Sequence, residues 1–157
     1  MKVTIELIDD SKFSWTPSLS DFKNWARKTL EGIELTDSVT VSIRLVNFED
    51  ACQLNLQYRN KVHASNVLSF PADLPEKVTK HLDSTPLGDI VICPEIVQLE
   101  AKEQEKSINA HWAHILVHSI MHLKGFQHEV NSEAAVMEKH EIKVLEKLGF
   151  PNPYLVV

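Results

Sequence analysis

His118 and His122 stand four residues apart in the stretch His118-Ser-Ile-Met-His122-Leu-Lys-Gly125-Phe-Gln-His128. On an α-helix this spacing puts both imidazoles on one face, about one turn apart, where they can converge on a single ion. Gly125 can take the left-handed conformation that ends a helix, and the returning chain can then deliver His128 as a third nitrogen. Three protein ligands leave one tetrahedral position open, as in a catalytic rather than a structural zinc site. Neutral imidazoles around an open position suit zinc best, with one ion expected per chain, although nickel, copper or iron could use the same ligands. Zinc would lower the pKa of a water it binds from about 15.7 towards about 7, giving a nucleophile near neutral pH.

The pattern H-x-x-x-H-x-x-G-x-x-H is similar to that of the metzincin peptidases, which place a glutamate base directly after the first histidine. Ser119 occupies that position here and cannot serve as a base near neutral pH, which disfavours peptide hydrolysis. His111 and His114 continue the stripe of His118 and His122 towards the start of the helix. The returning chain lies closest to the helix end, so Gly125 and His128 select His118 and His122, leaving His114 an orienting or packing residue. Each ligating ring needs a partner for its other nitrogen. Gln127, Glu129, Glu138 and Glu141 are candidates, and for the glutamates a solvated helix face is the ordinary alternative. A buried histidine-rich face without metal would explain the stripe, but not the glycine-spaced third histidine.

A second group is Tyr58-Arg59-Asn60-Lys61, just before Ser65-Asn-Val-Leu-Ser-Phe-Pro71. Arg59 offers a planar fork of donors matched to phosphate, and Lys61 adds a point charge. Alone, such residues after a helix are more often partners of its C-terminal dipole.

The elements that would position these groups follow from periodicity. Val3 to Ile8 and Val39 to Val46 alternate apolar and polar residues, as half-buried strands do, with Val3, Ile5, Leu7, Val41, Ile43 and Leu45 inward. A helix capped by Ser18 or Ser20 would turn Phe22, Trp25, Ala26 and Leu30 inward. A second helix runs from Asn47 or Glu49 to Tyr58, with Ala51, Leu54 and Leu56 or Tyr58 on its apolar side. Asn66 to Phe70 reads as a short strand ended by Pro71, and Pro71 to Pro86 as a loop. Gly88 to Cys93 reads as a strand apolar on both faces, hence central. Helices follow from Pro94 to about Lys106, from Ile108 to Leu123, and from near Ser132 to Gly149. In the last of these Ala134, Met137, Leu145 and Leu148 point inward. The expected fold is α+β: one mixed sheet of about four strands packed against several helices, with the metal site at the end of a long helix.

A length of 157 residues is expected to form a single domain over 1–157. The N-terminus is strand-like and soon acidic, unlike a secretory signal, and no apolar run is long enough to span a bilayer. Cys52 and Cys93 stand without a C-x-x-C or a disulfide framework, as expected of buried thiols in a reducing cytoplasm. A net charge of -6 with only three arginines, Arg27, Arg44 and Arg59, argues against indiscriminate nucleic-acid binding and leaves room for a local basic site. Such a site would use Arg59 and Lys61, with Arg44 and Lys124 as further candidates. Five of the eight histidines fall between His111 and His128, a clustering foreign to a solvated surface.

Three blocks together carry a resemblance: Tyr58-Arg-Asn-Lys with Ser65-Asn-Val-Leu-Ser-Phe-Pro71, then Leu87-Gly-Asp-Ile-Val-Ile-Cys93, then the histidine motif. In order and spacing the chain resembles the YbeY family of bacterial metal-dependent endoribonucleases. The resemblance implies zinc on His118, His122 and His128 and an essential Arg59. It also implies a role in 16S rRNA 3′-end maturation and ribosome quality control, in the cytoplasm. The implied partners are single-stranded rRNA and the ribosome or small-subunit proteins, without DNA or membrane. The sequence departs from the family pattern at Ser119, usually glycine, and at Gln127, usually aspartate. Val62-His63-Ala64 also stands where an acidic residue and a proline are usual. The absent base at Ser119 and the lost carboxylate at Gln127 favour one alternative, a zinc-stabilised ribosome assembly factor that cuts nothing; a metal-dependent hydrolase of another substrate is a further reading.

Overall fold

The computed structural model describes residues 1–61, 65–127 and 130–155. In chain order the elements are β1 (Val3–Asp9), α1 (Leu19–Gly32), β2 (Val39–Leu45), α2 (Phe48–Arg59), β3 (Val67–Pro71), α3 (Glu76–Thr79), β4 (Thr85–Ile92), α4 (Pro94–Glu103), α5 (Ile108–Leu123) and α6 (Asn131–Lys147). The strands form one mixed sheet in the order β1-β2-β4-β3, with β1, β2 and β4 parallel and β3 antiparallel to β4. The expected α+β architecture is the observed one.

Alternation decides which face of the sheet is covered. Val39, Val41, Ile43 and Leu45 of β2 and Ile90 and Ile92 of β4 lie in one core with Val3 and Ile5 of β1. The register pairs Ile43 with Ile90 and Leu45 with Ile92, so these side chains share the helix-covered face. Helix α1 is capped by Ser18, not Ser20: Ser18 and Asp21 form a reciprocal capping box. Its Phe22, fully buried, meets Trp25 and Trp112 edge-on at centroid distances of 5.9 and 5.8 Å.

Helix α5 is the central rod. It buries Trp112, Ala113, Ile115, Leu116, Val117, Ile120, Met121 and Leu123, and it packs on α1, α4, α6, β3 and β4. A helix apolar over most of its circumference must be buried. Its remaining stripe, His114, His118 and His122, is half-buried and open to one side. Among the described residues no helix is long and apolar enough to cross a membrane.

Several expectations need correction. The span 71–86 holds α3 and the first residues of β4 as well as loop. Helix α4 stops at Glu103, short of Lys106. In α2, Ala51 is buried, but Leu56 and Tyr58 are exposed, so the apolar side is narrower than periodicity suggests. Strand β4 is interior to the sheet, yet only Val91 is apolar on its second face, packing against Val46, Ala51 and Cys93; Asp89 is exposed there. Cys93 is buried and Cys52 only partly so.

Candidate metal centre

Helix α5 ends where the glycine-spaced motif requires. Gly125, at φ 93°, donates its N–H to the His122 carbonyl at 3.0 Å, and the Phe126 N–H reaches Met121 O at 3.1 Å. This paired closure is a Schellman turn, and it needs the left-handed residue that glycine supplies. The turn places the Phe126 carbonyl 2.9 Å from His122 Nδ1, which donates to it. One turn earlier, His118 Nδ1 lies 2.6 Å from Glu141 Oε1. With both Nδ1 protons given away, both Nε2 atoms carry lone pairs, and they face each other at 2.9 Å. Two lone pairs at that separation repel unless a proton or a cation lies between them. The pair fits a metal, with each ring's tautomer and orientation fixed from behind. The third expected ligand, His128, and the candidate partner Glu129 lie outside the described residues.

Glu141 on α6 is fully buried, yet it is charged and well satisfied. Besides His118 it accepts from His114 Nε2 at 2.8 Å and from the Tyr154 hydroxyl. Burial alone would raise its pKa. The hydrogen bonds from His114 and His118, with that of the Tyr154 hydroxyl, reverse that and hold it at about 2. Burial, then the bond to Glu141, push the Tyr154 phenol upward, so it stays a donor.

Ligand atoms of His114, His118 and Glu141 also fall within 4.8 Å of one another, close enough to hold a metal themselves. Their contacts, however, are hydrogen-bond lengths, and His118 cannot give one Nδ1 both to Glu141 and to an ion. We therefore assign Glu141 the role of orienting His118, and His114 that of supporting Glu141. Glu141→Gln should keep the fold and weaken binding of a divalent metal ion about 10- to 100-fold in a chelator-competition titration. Unchanged affinity would remove Glu141 from the site.

The histidines open onto a cleft of about 750 Å³, walled by Tyr58, Arg59, Ser65 to Pro71, the end of α4, α5 and Tyr154. Arg59 is exposed in the last turn of α2, its Nη1 3.5 Å from Ser65 Oγ. Gln127 also lines this cleft. Ser119 does not: it is fully buried and donates its hydroxyl to Ile115 O at 2.8 Å. Arg44 is on the other face of the sheet, bonded to Asp10 at 2.8 Å, so it does not join the cleft cations. Lys61 and Lys124 are exposed outside the cleft lining.

At the far end of the cleft, His111 is no bystander. Its Nε2 lies 3.1 Å from Glu100 Oε1, which also accepts from Asn66 Nδ2 at 3.0 Å. Glu100 thereby ties α4 to α5 and to the start of β3. Burial raises its pKa, but the bonds from His111 and Asn66 outweigh burial, and the net shift is downward. A carboxyl depressed in the folded state stabilises above its unfolded pKa, and that contribution is lost as pH falls through the folded value. Glu100→Gln should thus cost on the order of 1–2 kcal/mol at pH 7. In urea melts its deficit against wild type should narrow below pH 4.5, the carboxyl's ordinary value. A deficit independent of pH would contradict this.

The chain matches the family model described as Endoribonuclease YbeY over residues 7–149. It belongs to the YbeY family. A YbeY endoribonuclease of Acinetobacter baumannii is 43% identical over 98% of this chain and 99% of its own. That of Nitrosococcus oceani is 40% identical, covering 98% of each chain. That of Xylella fastidiosa is 46% identical over 88% of this chain and 85% of its own. The solution structure of TM1509 from Thermotoga maritima shares the fold, with a TM-score of 0.57 and 24% identity over 93% of this chain and 92% of that one. The span matched to YbeY contains Arg59, His118, His122, His128 and Glu141, while Tyr154 lies beyond it.

Proposed function

We propose that this YbeY-family chain is a zinc-dependent, single-strand-specific endoribonuclease that acts in 16S rRNA 3′-end maturation and ribosome quality control in the cytoplasm. The observation that carries the reading is the facing Nε2 pair of His118 and His122, each ring held from behind, at the wall of a cleft that Arg59 shares. The names of the curated relatives support RNA as the substrate. The three sequence blocks, through the family resemblance, support the ribosomal role.

His118, His122 and His128 would hold the zinc, which when bound supplies a Lewis acid able to activate water near neutral pH. Glu141 and the Phe126 carbonyl keep the two described ligands in register. Arg59 would bind the scissile phosphate with its planar fork and offset charge developing there. Tyr58, 57% exposed and edge-on to Phe70 at a 5.0 Å centroid distance, offers unpaired bases an aromatic surface beside that arginine. A base held within a duplex could not reach it.

The test is cleavage of an end-labelled, single-stranded rRNA fragment by the zinc-loaded protein and by His122→Ala. Cutting by the wild type alone is expected. Equal cutting by both would place the activity elsewhere or in a contaminant. No cutting by either would favour the non-catalytic assembly factor.

A further inference from the structure

We infer that Tyr154, on the C-terminal tail, is a positioning residue of the metal centre, acting on His118 through Glu141. The inference rests on the proposed zinc site and extends it to a residue outside the 7–149 span that defines the family match.

The tail is built to bring this hydroxyl inward. Helix α6 closes at Leu148, and Gly149, at φ 89°, reverses the chain, with the Phe150 N–H bonded to Leu145 O at 2.8 Å. Phe150 then packs edge-on against Trp25, anchoring the tail to the core. Pro151 and Pro153 restrict the backbone on either side of Asn152. Asn152 Oδ1 accepts the Tyr154 N–H at 2.8 Å, a side-chain-closed turn.

Tyr154 thus arrives with its ring edge-on to His114, at a centroid distance of 5.3 Å and 85°. Its hydroxyl donates to Glu141 Oε2 and lies 3.1 Å from His114 Nε2. Glu141's other oxygen receives His118 Nδ1. A continuous path of hydrogen bonds therefore runs from the tail through one buried carboxylate to a ligating imidazole. Removing the hydroxyl leaves Oε2 with His114 as its sole described donor, so the carboxylate that orients the His118 ring is held less tightly. A tyrosine that merely glued the tail down would need only its ring.

Tyr154→Phe keeps the ring and the turn and deletes only that donor. Zinc affinity, measured by competition with a chromophoric chelator, should fall roughly 3- to 10-fold, less than for a residue bonded directly to a ligand. The visible absorption of the cobalt(II)-substituted protein should shift, because it reports the geometry around the ion and not tail packing. A chain shortened to end at Asn152 should lose at least as much affinity as the phenylalanine variant. Wild-type affinity and an unshifted cobalt spectrum in Tyr154→Phe would overturn the role of Tyr154 alone. A wild-type protein that binds neither zinc nor cobalt would overturn the metal centre itself, and this inference with it.

Discussion

Arg59→Ala is expected to cut the single-stranded rRNA fragment about 10²- to 10³-fold more slowly than wild type, the range typical of losing one preorganised donor for developing charge. Its zinc content, read by elemental analysis, should not change. The two outcomes separate because the structure separates the groups. Arg59 closes α2, where Asn60 takes the left-handed conformation at φ 53° and sends its N–H back to Leu56 O at 3.1 Å. It reaches Ser65 and lines the cleft, while the histidine partners are Glu141, Phe126 and Tyr154 on other elements. Loss of its favourable position at the helix C-terminus should lower stability by only about 0.3–1 kcal/mol. Arg59→Lys should recover part of the rate, since it restores the charge without the two-pronged fork. Full activity in Arg59→Ala would remove the guanidinium from the mechanism. Loss of zinc in that variant would mean that it acts on the metal instead.

The parts of this architecture that sequence reveals are those governed by local rules. The alternation in β1 and β2, the bounds of α5 and the glycine turn before Phe126 all follow from periodicity or from one residue's conformational freedom. Pairing across long separations does not. Four residues are candidate partners for the histidine nitrogens, and among the described ones the packing of α6 on α5 delivers Glu141 to His118. Behind His122, Nδ1 meets a backbone carbonyl, which no side-chain inventory would nominate. Tyr154 carries no sequence signal at all, since its role arises only when the tail folds back over Glu141. Glu100 and His111 meet because α4 and α5 pack together, while in sequence they are a helix charge and one more histidine of a stripe. Leu56 and Tyr58 fit an apolar side by spacing, but α2 has too little of the molecule packed on it to bury them.

Gly88→Ala should destabilise the protein by roughly 2–5 kcal/mol, the combined scale of backbone strain and overpacking. Pairing of β2 with β4 shifts register between Thr40 and Val41, which face Pro86 and Gly88, so Leu87 is the extra residue of a bulge. Gly88 has φ 143°, where a side chain is strained before any neighbour is considered. The neighbours are close as well. A Cβ would sit 2.2 Å from Phe70 O and 2.9 Å from both Pro71 Cα and the Leu123 side chain. The first two belong to the backbone of β3, which pairs Pro71 with Gly88, and Leu123 is the last residue of α5, next to His122. The methyl group would therefore push apart the strand and the helix that wall the cleft, so RNA cleavage should fall along with the melting temperature. Gly125 supplies the control: a Cβ there meets nothing within 4 Å, and Gly125→Ala would bear only the strain of φ 93°. If Gly88→Ala melted no lower than Gly125→Ala, the close approach of β3 to β4 would not be what demands glycine at position 88.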